Sequence, residues 1–387
     1  GDFNVSNFEV DYSNTTAAVS GDDSSGLDSP QDSASKRKYP HDGSENEYLL
    51  ELEEDTFRNH SSASNVDSLS TLSEPAIGDL ESFTVYSGES RNYNSVYAEL
   101  REIGDHVLIW TDTSISVSDY DLYQIKNEFE NNIYQEVKYY FGEDPKMEDY
   151  AVLKTAGEKV NILITPLITS RGVPWAGGYF TSADLYAQSR YASSNERKMM
   201  YIHHYGSSYH LDYQIGTIAH EFQHMIFYNV RKLNNNNYYS SETWLNEGFS
   251  QLAEDLVGYG YQGGVDTNLD DFLFNPQNTS LLLWEQESKD YNMSYLFARY
   301  IYDRFGAGII DGVHSYGGSY KDAVAAYAGL SFRELFRDFA FALWYDDDSS
   351  KYGFPSIDFR RPWAENIYPG QSWSNQRTRG WGIKYTI

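Results

Sequence analysis

The chain of 387 residues contains no cysteine. Disulfides, Cys-ligated zinc, iron–sulfur clusters and thiol nucleophiles are thereby excluded. Long apolar runs are missing too, since none approaches the roughly 18–20 residues that span a bilayer. Positive charge is scarce: 29 Lys and Arg stand against 57 Asp and Glu, for a formal net charge of −28. So acidic a surface repels phosphate backbones and anionic lipid, which makes nucleic acid and membranes poor partners. By itself it describes a soluble, self-repelling protein. What is present is globular in character, with 40% hydrophobic and 22% charged residues. The length suffices for one large domain or two lobes around a real core.

Three stretches differ in composition. Residues 1–76, with "SGDDSSGLDSPQDSASKRKYPHDGSENE", hold almost nothing to bury and read as a flexible leader or stalk. The alternative is a propeptide docked on the main domain. Residues 77–230 read as an α+β lobe. Short strands are expected around Phe83–Tyr86, Val96–Leu100 and His106–Trp110, and again in "KVNILITPLI" and "KMMYIHHY". Leu122, Ile125, Phe129, Ile133, Val137 and Tyr140 recur at helical spacing between them, with Gly142 as the stop. "GGYFTSADLY" is shorter and more polar, as an edge strand is. Residues 231–387 read as mainly helical, closing on "WGIKYTI" as a strand. That strand stops abruptly, so the natural chain is expected to continue. The start at Gly1 is that of a processed or trimmed chain.

The stretch "TIAHEFQHMIFYNV" (Thr217–Val230) carries the chemistry. Positions i and i+4 of a helix share one face, so His220 and His224 can offer two imidazole nitrogens to one ion. Ile215, Ile218, Phe222, Met225 and Ile226 would bury the helix and set those histidines at the rim of a core. A metal with three protein ligands and one open position acidifies water, and Glu221 beside His220 can take the proton. The competing reading is two histidines on a polar helix face. It weakens because Glu247 follows, in "TWLNEGFSQLAED", after twenty-two intervening residues. That is room for a helix end, the Asn-rich loop and a returning helix. The apolar set of Trp244, Leu245, Phe249, Leu252 and Leu256 would turn Glu247 towards the first helix.

At these residues the chain resembles zinc peptidases that use His, His and a distant Glu. "WLNEG" is similar to the ligand segment of gluzincin aminopeptidases. The broader resemblance, over roughly residues 80 to 350, is to the hyicolysin-type neutral zinc metalloendopeptidases of bacteria. It runs through "GGYFTSADLYAQSRYASSNERKMMYI", "HEFQHMI", "ETWLNEGFSQLAED", "DYNMSYLFARYIYDRFG" and "FRELFRDFAFALWYDD". The resemblance implies a two-lobed zincin, secreted or at the cell surface. It implies zinc held by His220, His224 and Glu247, with Glu221 as general base. Tyr291, one of 35 tyrosines, stands where gluzincin aminopeptidases carry a catalytic tyrosine. His203, His204, His210 and His314 are other candidates to stabilise the oxyanion. The chain departs from the thermolysin pattern in placing Gln251, not Asp, four residues after the ligand glutamate. The outer support of a histidine is then expected from Glu254, Asp255 or elsewhere.

Calcium is a lesser expectation, at "DTNLDD" (Asp266–Asp271), which lacks the glycine and final glutamate of an EF-hand. The expected activity is hydrolysis of internal peptide bonds by a monomer, with the substrate extended along the "GGYFTSADLY" edge. An aminopeptidase, an inactive binding module on the same scaffold and a non-peptidase zinc hydrolase are the alternatives. A "GxMEN"-type segment, which an aminopeptidase would use for the free amine, is missing upstream of His220.

Overall fold

The structure is a computed structural model that describes residues 9–10, 75–87, 90, 92–150, 158–170, 173–174, 177–206, 210–233, 242–265, 268–365 and 379–386. The Ser/Asp-rich stretch 1–76 thus lies outside the described residues, apart from 9–10 and 75–76. In chain order the first strands are β1 (Glu9–Val10), β2 (Leu80–Ser87), β3 (Asn92–Ile103) and β4 (Val107–Asp112). Helices α1 (Asp119–Glu128) and α2 (Tyr134–Phe141) follow, then β5 (Val160–Thr165), β6 (Thr169–Ser170), β7 (Val173–Pro174), β8 (Gly178–Phe180) and β9 (Met199–His203). Two long helices come next, α3 (Leu211–Leu233) and α4 (Thr243–Leu256). The remainder is α5 (Asp270–Leu273), α6 (Ser288–Phe305), α7 (Gly308–His314), α8 (Tyr320–Ala328), α9 (Phe332–Tyr345), β10 (Ala364–Glu365) and β11 (Ile383–Thr386). The architecture is mixed α+β, an N-terminal sheet followed by a helical part.

The main sheet has the order β2-β3-β4-β5-β9-β8. Its middle strands β4, β5 and β9 run parallel, and β8 returns antiparallel to β9 as one edge. Every residue of β4, β5 and β9 is buried, because both faces are covered. Alternation sorts their side chains: Ile109, Ile162, Ile164, Met200 and Ile202 face the helices, while Leu108, Trp110, Leu163, Met199 and Tyr201 pack with Phe83, Val85 and Leu100. The helix-side cluster continues without a break through α3 and α4 into α6, α8 and α9. The expected sheet-bearing and helical parts therefore share one apolar core.

Two elements differ instructively from the sequence reading. The helix expected over 119–141 is interrupted by a widened π turn, Phe129–Ile133. Its buried positions are Leu122, Ile125, Phe129, Ile133, Val137 and Phe141, mostly four residues apart. That period exceeds 3.6, so a uniform helix would rotate them off the core; the wide turn absorbs the excess. The strand expected in "GGYFTSADLY" ends at Phe180, where Thr181 accepts from the Ala183 N–H and opens a short 3₁₀ turn, Ser182–Leu185. No described helix is long and apolar enough to cross a membrane.

A buried ion cluster ties α2 to the sheet. Asp144 sits 2.7 Å from Lys198 Nζ and 2.8 Å from Lys138 Nζ, and Asp144 and Lys198 are almost fully enclosed. Asp144→Ala, which strands the buried Lys198 charge, is expected to destabilise the protein by about 3–5 kcal/mol in urea denaturation at neutral pH. Burial pushes the Asp144 carboxyl up, but Lys198 and Lys138 outweigh it and hold it below the ordinary value. Its stabilisation is therefore complete above the unfolded value of about 3.9 and fades as pH falls through the lower folded value. The variant's stability should respond less to pH across that acid window than the wild type's.

Candidate metal centre

Helix α3 places its two histidines as the four-residue spacing requires, with ring centroids 4.8 Å apart. Both Nε2 atoms converge on one carboxylate oxygen of Glu247 from α4, at 3.2 Å from His220 and 3.6 Å from His224. Tetrahedral ligand atoms bound at zinc's usual 2.0–2.1 Å stand about 3.4 Å apart. The donor set therefore fits a small tetrahedral cation with one position left open. Among the described residues, these three form the group of His and carboxylate side chains able to hold a metal, with donor atoms within 4.8 Å of one another. Burial pushes Glu247 up, but the two histidines outweigh it and bring the carboxyl down to about 2.

Helix α4 reaches this position through two constraints. Arg231, fully buried at the end of α3, lies 3.0 Å from Glu242 at the entry to α4. It also donates to the Tyr316 carbonyl, while the other Glu242 oxygen accepts from the Tyr320 N–H at 2.7 Å. One clamp thus fixes where α4 leaves α3 and ties both to the start of α8. The second constraint is Gly248, directly after the ligand candidate. A β-carbon there would meet the Ser294 carbonyl of α6 at 2.6 Å, so only glycine lets α4 and α6 approach this closely.

Of the residues expected to support a histidine, Glu254 is the one in place, its Oε1 2.7 Å from His220 Nδ1. Asp255 is turned away: it accepts from the Tyr295 hydroxyl and the Gln262 N–H and faces Arg299. Helical geometry explains the choice, because positions i, i+4 and i+7 share a face and i+8 has moved off it. Gln251 lies on that same face and lines, with Glu254, Asn268 and Asn292, a cavity of about 20 Å³. Ser250, not singled out in the sequence, lies 3.2 Å from His224 Nδ1 and donates to Gln223 Oε1 at 2.5 Å.

Glu221 is only 6% exposed. Burial raises its carboxyl above the ordinary value, against the lowering pull of His220 and His224. The backbone of Phe180, the last residue of edge strand β8, also pulls it down. Strand β8 is seated on α3 at Gly178, where a β-carbon would meet Thr217 Cγ2 at 2.9 Å and the Tyr201 carbonyl at 2.7 Å. The edge strand is therefore packed directly on the helix that carries Glu221.

Tyr291 stands in the first turn of α6, one turn before the Ser294 carbonyl against which Gly248 packs. Its hydroxyl is held protonated well above the ordinary range by burial first, then by the charges of Glu247, Glu221 and Asp290. The other histidines are placed elsewhere. His314 sits in the core among Phe141, Phe227 and Phe249, with Nδ1 3.0 Å from the Phe141 carbonyl, and burial takes it down to about 4. His203 ends β9 against Tyr205, burial likewise taking it to about 4. His204 follows it, partly buried, and His210 precedes α3 on the other side of Tyr205. None of the four belongs to the metal-holding group. Asp266 lies outside the described residues, while Asp270 opens α5 and faces Arg360 at 3.5 Å.

No family model matches the chain. The chain is 26% identical over 247 residues to the neutral metalloprotease ShpI of Staphylococcus hyicus, an alignment covering 59% of this chain. It spans about half of that protein's length, 52%. By that likeness the chain is a distant relative of a neutral metalloprotease.

Proposed function

We propose that this chain is a zinc-dependent endopeptidase of the hyicolysin type, secreted or held at the cell surface and acting as a monomer on proteins and peptides. The observation that carries the reading is the convergence of His220, His224 and Glu247 on one tetrahedral site, with Glu221 beside it and Glu254 behind it. A bound zinc ion would supply Lewis acidity to water and to the scissile carbonyl. The protein's own groups do the rest. Glu254 accepts the Nδ1–H of His220, which fixes the tautomer and leaves the Nε2 lone pair facing the site. Glu221, its basicity raised by burial, takes the proton of the attacking water and returns it to the leaving amine. Tyr291 keeps its proton and donates a hydrogen bond to the oxyanion that develops on the carbonyl. A peptide extended along β8 brings its scissile bond past Glu221, because that strand packs on the helix that carries the carboxylate.

Three substitutions test these roles on casein or a quenched-fluorescence peptide, with zinc measured by atomic absorption. Glu221→Gln should keep its zinc and lose about 10²–10⁴-fold in kcat. Unchanged activity would remove Glu221 as the base, and a zinc-loaded wild type that cleaves nothing would sink the peptidase reading. Tyr291→Phe should lose about 10²–10³-fold in kcat at nearly constant KM, as befits a contact made in the transition state. Glu254→Ala should weaken zinc affinity or activity by about 10–100-fold, read by chelator competition. Wild-type affinity in that variant would mean His220 is oriented by something else.

A further inference from the structure

The contacts between α3 and α4 run in opposite order along the two helices. His220 meets Glu254, His224 meets Ser250, and Arg231 meets Glu242. The helices therefore pack antiparallel, and one turn forward on α3 is matched by one turn back on α4. Residues 254 and 250 thus hold equivalent places behind the two histidines. The place behind His220 carries a carboxylate. The place behind His224 carries Ser250, which is fully buried.

Ser250 makes a different kind of contact from Glu254. Its Oγ lies 3.2 Å from Nδ1 of His224 and 3.3 Å from Nε2. In the ring plane, an atom so nearly equidistant from both nitrogens would overlap the carbon between them. The oxygen therefore sits over the face of the imidazole. Its proton is committed elsewhere, because Gln223 Oε1 accepts it at 2.5 Å. That separation suits O–H···O and is too short for an amide N–H donor. A serine inside a helix ordinarily bonds the carbonyl one turn back, and here that carbonyl, of Asn246, is farther off at 3.1 Å. Gln223 is itself fully buried, so the bond is shielded from solvent.

With its proton given to Gln223, the Ser250 oxygen turns its lone pairs to the His224 ring. It stops rotation of that ring about a torsion that is otherwise soft. Such rotation would take Nε2 away from the Glu247 oxygen, which lies 3.6 Å from it. A metal-bound imidazole also carries part of the ion's charge, which an oxygen over its face stabilises. We propose that Ser250, held by Gln223, is a positioning residue for His224 and raises the affinity of the centre for its metal. This rests on the reading of His220, His224 and Glu247 as a zinc site.

The test reads metal affinity and ligand geometry in the full chain, by chelator competition for zinc and by the visible absorption of the cobalt-substituted protein. Ser250→Ala removes the oxygen and should weaken zinc binding about tenfold, with a shift in the cobalt bands that report coordination geometry. Gln223→Leu leaves the serine in place without its acceptor and should weaken binding in the same direction. Because the two act as one unit, their losses should not add: the double variant should bind zinc no worse than the worse single variant. Fully additive losses would overturn the proposal, since Gln223 would then not act through Ser250. A serine kept only to pack α4 on α3 would lower the thermal midpoint and leave zinc affinity and the cobalt bands unmoved, which also overturns it. A wild type that binds zinc, with Ser250→Ala indistinguishable from it, refutes the positioning role and leaves the metal centre standing. A wild type that binds neither zinc nor cobalt refutes both.

Discussion

Helix α4 must press closely against α3 on one side and α6 on the other, and the site hangs on that double contact. Gly248 permits the approach to α6, where any side chain would strike the Ser294 carbonyl. The Arg231–Glu242 pair fixes the approach to α3, with both partners fully enclosed. A buried pair of this kind contributes less to net stability than to fixing a geometry, since its attraction is set against the loss of two hydration shells. What it fixes here is the rotation of α4 about its own axis. Glu247 and Glu254, two turns apart, then meet the same histidine from opposite ring nitrogens.

The electrostatics of the centre follow from this crowding. Three carboxylates, Glu221, Glu247 and Glu254, gather around two imidazoles in a chain that already carries a net charge of −28. Burying so much negative charge is costly unless a cation balances it. The environments also separate two carboxylates that are chemically alike. Glu247, between two histidines, is driven down to about 2, while Glu221, buried against the edge strand, is driven up. One is suited to remain an anionic ligand and the other to exchange a proton, which is how enzymes assign two roles to one residue type.

Much of the scaffold was legible from periodicity. The buried runs of β4, β5 and β9 and the four-residue face of α3 are local patterns, and local patterns survive without knowledge of the fold. The π turn at Phe129–Ile133 was not legible, although the four-residue spacing of its apolar positions held the clue. Nor was the turn before α6, because nothing in "LLLWEQESKD" announces that the N–H groups of Glu285 and Glu287 will share one oxygen of Asp290.

The candidate site divides along the same line. The sequence by itself determined that His220 and His224 share a face and that Glu221 stands beside them, since the α-helical period alone dictates it. It also made Glu247 the natural third donor. Only the tertiary structure decided that Glu254 and not Asp255 holds His220, across thirty-four residues of chain. It alone packed β8 on the helix of Glu221 and brought the start of α6 against the helix of Glu247. The physical reason is range. Helical spacing is fixed by backbone geometry within a turn or two, whereas the meeting of α3, α4, α6 and β8 depends on how closely glycines and buried ion pairs let separate elements pack.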